Sequence, residues 1–255
     1  MNIIKNKNQY QVIFGRNPIL DAFKAGQHFE KVFIKSGLKG HFVEELYDYC
    51  NERAVPLKKV PLIKLDQLSR RRNHQGTVGI MAAVEYQNIR DILPLIFEKG
   101  ETPNLLILEG ITDVRNVGAI ARSAEVLGVH AIIFPLSNSA EINEDAIKTS
   151  AGALMTIPIC REKDLGKTIN YLKESGIHII CSSLDGDKNI FDVDMTGPLA
   201  TVIGSEHSGV SQDLINRSDG AFKIPQVGGT DSLNVSVAAG IILYECLKQR
   251  SKLEK

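Results

Sequence analysis

From Val235 onward the chain places Val235, Ala238, Ala239, Ile242 and Cys246 at helical spacing, the mark of a helix with one buried face. The residues just before it, Thr230, Asp231, Ser232 and Asn234, are small and polar. Asn234 or Ser232 can accept a hydrogen bond from a free N–H of the first turn, so capping alone could explain them. Upstream, from Asn104, apolar runs alternate with amphipathic ones. "NLLILEG", "VHAIIFP", "TIPIC", "IHIICSS", "LATVIGSE" and "GAFKIPQ" read as strands. "VGAIARSAEVLG", "NEDAIKTSAGAL" and "KTINYLKESG" between them read as helices. This rhythm predicts an α/β fold, a mostly parallel sheet with helices on both faces. Ligands of such sheets sit at the strand C-terminal ends. Here those ends carry the least regular sequences, "EGITDVRN", "SSLDGD", "GSEHSG" and "QVGGTDSLN".

Residues 1–85 follow a different pattern, that of a small α/β unit. "NPILDAFKAG" predicts a helix with Asn17 as N-cap, Pro18 at its first position and Gly26 past its end. "KVFIKSG" and "VPLKKV" read as strands, "FVEELYDYCNERA" and "IKLDQLSRR" as helices, and "TVGIMAAVEY" as a closing strand. Residues 86–103, with Pro94, Gly100 and Pro103, read as a connector, and 104–255 as the second domain.

Charge sharpens this division. The whole chain is neutral, yet residues 1–85 hold 14 Lys and Arg against 8 Asp and Glu, which leaves the rest acidic by the same margin. A basic front on an acidic body suits an anionic partner such as nucleic acid. The loop "RRRNHQGTVG", with Arg70, Arg71, Arg72, His74 and Gln75, is the candidate for RNA phosphates. No apolar run approaches the ~18 residues that span a bilayer, and the N-terminal stretch lacks the apolar core of a secretory signal. Cys50, Cys160, Cys181 and Cys246 are scattered without a CxxC pair, which predicts buried thiols in a reducing cytoplasm rather than disulfides or zinc.

Several familiar chemistries drop out. No two glycines stand at i, i+2, so a GxGxxG dinucleotide turn is absent. "GSEHSGVS" spaces Gly204 and Gly209 like a P-loop but has Val210 where the phosphate-binding lysine belongs, and it fails the G-x-S-x-G elbow as well. The six histidines show no metal-ligand spacing, so no metal site is expected.

Three segments taken together resemble a known family. "TDVRNVGAIARSAEVLGVHAIIFP", "LATVIGSEHSGVS" and "IPQVGGTDSLNVSVAAGIILYE" are similar, in order, to the three motifs of the SpoU (TrmH-type) RNA ribose 2′-O-methyltransferases of the SPOUT superfamily. "VIFGRNPILDAF" and "HQGTVGIMAAVEY" resemble the small substrate-binding domain joined to many such enzymes. The combination looks most like the bacterial enzyme that methylates a guanosine ribose in large-subunit ribosomal RNA. The resemblance implies S-adenosylmethionine as methyl donor, a C-terminal trefoil knot, and a homodimer formed through the C-terminal domain. It also implies site residues. Asn116 and Arg122 match the first motif, Glu206 the second, Ser232 and Asn234 the third. Gly204, Ile224 and Leu233 match backbone positions around the cofactor, and Ser182, within the stretch from Cys181 to Ser183, matches the adenosine side.

In that reading Arg122 grips a phosphate and stabilises the developing oxyanion, since a guanidinium with a pKa above about 12 makes a poor base. Glu206 orients Arg122 or anchors the cofactor loop, and Asn116 positions the arginine or the ribose. Asn116 could equally cap its helix, and His207 reads as an exposed loop residue. One departure stands out, Val114 where the family usually has proline, which loosens that loop. A transfer-RNA ribose methyltransferase, a non-catalytic RNA-binding protein of the same fold and a resistance methyltransferase remain alternatives.

Overall fold

The computed structural model describes residues 3–5, 11–229 and 232–252; Thr230 and Asp231 lie outside them. The chain divides into two units, one of residues up to Glu85 with Ile142–Glu144, the other of the remainder from Tyr86.

In the first unit the elements are β1 (Ile3–Lys5), β2 (Gln11–Phe14), α1 (Arg16–Lys24), β3 (Phe29–Lys35), α2 (His41–Glu52), β4 (Leu57–Val60), α3 (Leu62–Leu68) and β5 (Thr77–Met81). The strands form one sheet in the order β1-β2-β5-β3-β4, with β3 and β4 parallel and the other pairs antiparallel. The period-2 rule divides its core. Ile13, Val32 and Ile34 pack with Phe23 of α1 and Leu46 of α2, while Val12, Phe14, Phe33 and Val78 pack with Leu65 of α3. Helix α1 starts two residues earlier than the Asn17 cap predicts. Its N-cap is Gly15, and Gln75, distant in sequence, bonds the Arg16 N–H with its side-chain oxygen.

The second unit contains β6 (Tyr86–Gln87), α4 (Ile89–Glu98), β7 (Asn104–Leu108), α5 (Val114–Val126), β8 (Ala131–Pro135), α6 (Glu144–Thr149), β9 (Ile159–Glu162), α7 (Leu165–Glu174), β10 (His178–Ser182), β11 (Lys188–Asn189), β12 (Leu199–Ile203), α8 (Gln212–Arg217), β13 (Gly220–Lys223) and α9 (Val235–Arg250). Eight strands form one sheet in the order β11-β13-β10-β12-β7-β8-β9-β6, and every pair in it is parallel. Residues 86–103 are built into this unit rather than joining two others. β6 pairs with β9, and Ile89, Leu93 and Ile96 of α4 lie in the core. The closing strand expected over "TVGIMAAVEY" therefore breaks in two, β5 in one sheet and β6 in the other.

Leu105 and Ile107 of β7 pack on the face covered by α4, α7 and α8. Leu106 and Leu108 are buried on the opposite face. There Cys246 of α9 donates to Asn104 Oδ1 at 3.8 Å, and α5 packs along α9. The order reverses between β7 and β12: β8 and β9 extend one way from β7, and β12, β10 and β13 the other. Arg250 at the end of α9 ties it to the start of the unit, donating to the carbonyls of Met195, Thr102, Pro103 and Gly197 at 2.7–3.1 Å. No helix among the described residues is long and apolar enough to cross a membrane. All four cysteines are buried free thiols, and burial pushes Cys50 and Cys160 up to about 12.

Candidate active site

The C-terminal ends of the neighbouring strands β13, β10 and β12, on one side of the sheet reversal, lie together around a cavity of about 650 Å³. That is inside the range of roughly 300–1,000 Å³ in which small molecules and cofactors are held. Two backbone crossings shape it. A Cβ at Gly204 would lie 2.0 Å from the carbonyl carbon and oxygen of Gly209 and 2.2 Å from Val210 N, so the loop after β12 can fold back only over a glycine. A Cβ at Gly186 would lie 2.4 Å from the carbonyl carbon of Phe222, where the loop after β10 passes against β13.

All four sequence-predicted cofactor residues, Ser182, Gly204, Ile224 and Leu233, line this cavity, together with Glu206 and Ser232. Of the stretch 181–183, Ser182 and Ser183 face the cavity. The Cys181 thiol instead points into the core toward Leu214 O, and burial pushes it up to about 11. Asp185, Asp187 and Gln226 also line the cavity. They were missed because no spacing marks them, although "SSLDGD" stood out as an irregular strand end. Ala238, assigned from periodicity to the buried face of α9, is half-buried and turns toward the cavity, and Leu243 takes its place in the core.

Beside the cavity three N–H donors converge on one carboxylate oxygen. Glu206 Oε1 accepts from Asn234 Nδ2 at 2.6 Å, from Val235 N at 3.1 Å and from Asn116 Nδ2 at 3.4 Å. Asn234 Nδ2 also donates to Asn116 Oδ1 at 3.1 Å. The loop after β12, the first turn of α5 and the start of α9 are thereby fastened together. Asn234 acts twice, because its Oδ1 also accepts from Ser236 N at 3.0 Å as the N-cap of α9. Ser232 makes no cap bond to α9.

Two expectations change here. Asn116 is not a helix cap: Asp113 is, its Oδ1 accepting from Arg115 N at 2.8 Å and Asn116 N at 2.9 Å. That double bond holds the turn firmly with Val114 at the first helical position, so the missing proline does not loosen it. Nor does Glu206 bond Arg122 directly among the described residues. Its bonded oxygen is taken by Asn116, Asn234 and Val235, while Arg122, exposed on α5, forms no hydrogen bond or ion pair among the described residues. Its guanidinium is available to an anion. His207 is exposed at the cavity mouth.

In the first unit Arg70, Arg71 and Arg72 are exposed as expected. His74 departs from its expected RNA-binding role: it is 7% exposed, its Nδ1 accepts from Gly76 N at 3.0 Å, and its Nε2 meets Asp66 Oδ1 at 3.2 Å. Both ring nitrogens are engaged inside the loop, so His74 shapes it. Gln75 likewise gives its side-chain oxygen to Arg16 N.

Comparison with known proteins yields a consistent set of relatives. Residues 103–244 match the SpoU rRNA Methylase family, and residues 12–87 match the family described as RNA 2′-O ribose methyltransferase substrate binding. A Staphylococcus epidermidis protein named as a TrmH-family tRNA/rRNA methyltransferase is 33% identical over 244 residues, 96% of this chain and 98% of that one. YacO of Bacillus subtilis, named in the same way, is 31% identical over 95% of this chain and 97% of its own. Among solved structures, the SpoU methyltransferase AviRb from Streptomyces viridochromogenes, crystallised with AdoMet, matches 97% of this chain and 95% of its own with a TM-score of 0.62 at 24% identity, a likeness of fold. A TrmH/SpoU tRNA modifying enzyme of A. aeolicus matches 65% of this chain and 86% of its own, with a TM-score of 0.55 and 28% identity.

Proposed function

Because the chain belongs to the SpoU rRNA methylase family of RNA methyltransferases, we propose that it methylates a ribose 2′-hydroxyl of RNA, a guanosine of large-subunit ribosomal RNA, with S-adenosylmethionine as donor. The observation that carries this reading is the junction at Glu206, which fastens three family-matched residues beside a cavity lined by every predicted cofactor position.

The residues present suit the cofactor. Gly204 leaves its backbone bare where the loop folds back, Leu233 and Ile224 offer apolar surface, and Ser182 offers a hydroxyl at the end of β10. When bound, S-adenosylmethionine supplies a methyl group on a positively charged sulfur. The chain must then hold the ribose oxygen in line with that methyl and ease the loss of its proton. Arg122, without an internal partner, serves the second need by binding an RNA phosphate and stabilising negative charge as it grows on the oxygen. Asn116, Glu206 and Asn234 act as positioning residues that fix α5, and so Arg122, relative to the cavity loop. Ser232, on the cavity wall one residue from Leu233, helps to align the ribose.

The homodimer is part of the same proposal. Helix α9 carries apolar residues beyond its buried face, and Val237, Ile241, Tyr244 and Leu247 remain exposed. A second copy covering that stripe would bury it. The close passage of Gly186 against Phe222, 36 residues on, is compatible with the knotted threading implied by the family, and four buried thiols suit a cytoplasmic setting. Ribosomal RNA is proposed over transfer RNA because residues 12–87 match a separate substrate-binding family, whereas the TrmH/SpoU tRNA modifying enzyme of A. aeolicus matches only 65% of this chain.

The test offers methyl-labelled S-adenosylmethionine with total ribosomal RNA and total transfer RNA in separate reactions, beside Arg122→Ala. Label in an alkali-resistant dinucleotide from ribosomal RNA, reduced about 10²–10³-fold by the variant while cofactor affinity is unchanged, is the expected result. Label only in transfer RNA overturns the substrate, and failure to bind the cofactor overturns the enzyme reading in favour of an RNA-binding protein.

A further inference from the structure

The first unit holds a groove of about 580 Å³ between α1, the end of β3, α3 and the loop 69–76. Four cations line it, Arg16, Lys35, Arg71 and Arg72, from three separate parts of the chain. Lys35, Arg71 and Arg72 form no hydrogen bond or ion pair through their side chains among the described residues. Arg16 gives its Nε to Gln75 O at 3.1 Å and leaves its two terminal nitrogens unbonded there. Asp66, the one carboxylate on the lining, is engaged by His74. The groove therefore sets four cations against the single carboxylate of Asp66, an excess of positive charge.

It is also preformed. Arg70, Arg71 and Gln75 adopt left-handed backbone, with φ of 54°, 58° and 50°, at a cost on the order of 1–3 kcal/mol each. Internal bonds hold the loop in that shape: Arg71 N to Asp66 O at 2.7 Å, Gly76 N to His74 Nδ1, and the fully buried Ser69, whose hydroxyl donates to Arg72 O at 3.3 Å. Backbone strain held by such contacts clusters at functional sites, and here it keeps the loop in one shape.

The apolar part of the lining distinguishes among anions. Leu38 and Leu62 belong to it, the latter 47% exposed. A free phosphate has no use for apolar surface, and an A-form duplex presents its phosphates on a convex rod that cannot enter a concave groove. An unstacked nucleotide fits both features, its base on the leucines and its flanking phosphates on the cations.

We propose that this groove is a second, non-catalytic RNA site that takes an unpaired nucleotide with its flanking phosphates, Arg16 and Lys35 acting with Arg71 and Arg72. The assignment rests on the RNA reading above and adds where, and in what form, the substrate is gripped away from the methyl-transfer centre.

The test measures binding of the full-length protein to a fluorescein-labelled single-stranded RNA 12-mer and to the matching duplex, by anisotropy across a salt series. The Lys35→Gln/Arg72→Gln double variant removes two exposed cations without internal partners. Lys163→Gln/Lys167→Gln, which removes two exposed lysines of the other unit, is the control. Each single-strand phosphate contact contributes a slope of about 0.7 in log K against log salt. The groove variant should therefore lose a slope of about 1.4 and on the order of 25-fold in affinity near 0.1 M salt, with the control close to wild type and the duplex bound more weakly. Unchanged affinity and slope in the groove variant, an equal loss in the control, or a duplex bound as tightly as the single strand overturns the proposal. Wild type that methylates ribosomal RNA with groove-independent binding leaves the enzyme reading standing and removes the groove. Groove-dependent binding by a protein that labels no RNA does the reverse.

Discussion

Replacing Gly204 by alanine adds one carbon, and the structure says where it must go. The new Cβ would stand 2.0 Å from the carbonyl carbon and oxygen of Gly209 and 2.2 Å from Val210 N. Real Cβ atoms essentially never approach closer than 3.0 Å, so the loop has to retreat by about 1 Å. None of those neighbours is the flexible tip of a side chain that could swing aside. Overpacking of this kind costs about 1–3 kcal/mol, which a protein of this size can survive. Function is the more sensitive readout, because the same loop carries Glu206, and a 1 Å misplacement can cost on the order of 10²-fold in rate. Gly204→Ala should therefore remain folded by circular dichroism, bind S-adenosylmethionine at least tenfold more weakly by calorimetric titration, and lose about 10²-fold in methyl transfer. Gly220→Ala is the matched control, since a Cβ there meets nothing within 4 Å, and it should behave as wild type. A folded Gly204→Ala protein with wild-type cofactor affinity would refute the claim that the backbone crossing at Gly204 builds the cofactor site.

Two further outcomes follow from other contacts. Asn234→Ala removes the cap on Ser236 N and a donor to Glu206. It should destabilise the start of α9 by about 0.5–2 kcal/mol, read as faster amide exchange at Ser236, and unaltered exchange there would count against the double role of Asn234. Asp219 provides the pH test. Burial acts to raise its carboxyl, but the bonded Lys173 ammonium and the Ile179 N–H prevail and hold it below its ordinary value. A depressed folded pKa means the stabilisation is present above the unfolded value near 3.9 and is lost as pH falls through the folded one. Asp219→Asn should thus unfold more easily at pH 7, by about 1–3 kcal/mol, with the gap to wild type closing below pH ~4; a gap that does not change with pH would sink this account.

The sequence revealed the architecture where burial is two-sided and continuous. The strands from Asn104 onward are apolar throughout because helices cover both faces, and they were legible for that reason. Helix α8 was not, since Leu214 is the one fully buried residue in its six, too few to set a period. The Asn17 cap failed because the true partner of the first turn, Gln75, lies 59 residues away. The site divides similarly. Motif resemblance brought Asn116, Glu206 and Asn234 into view, but no spacing could foretell that one oxygen of Glu206 binds residues 90 and 28 positions distant. Arg16 and Lys35 were invisible as members of the basic groove, because a cation becomes part of a site only when the fold sets it beside others.

The place of β12 in the sheet bears on how this protein is made. β7 is flanked by β8 on one side and on the other by β12, whose first residue, Leu199, follows Leu108 by about 90 positions. Translation at roughly 5–20 residues per second takes about 5–20 s to cover that distance. For that interval one edge of β7, apolar from Leu105 to Leu108, has no partner, the condition that invites pairing with other chains. The last tether, Arg250, forms later still. The first unit has its five strands in place by Met81. Biosynthesis thus delivers the five strands of the basic unit first and a long unfinished sheet after them, and the pocket, lined by residues between Ser182 and Ala238, is among the last parts of the protein to come into existence.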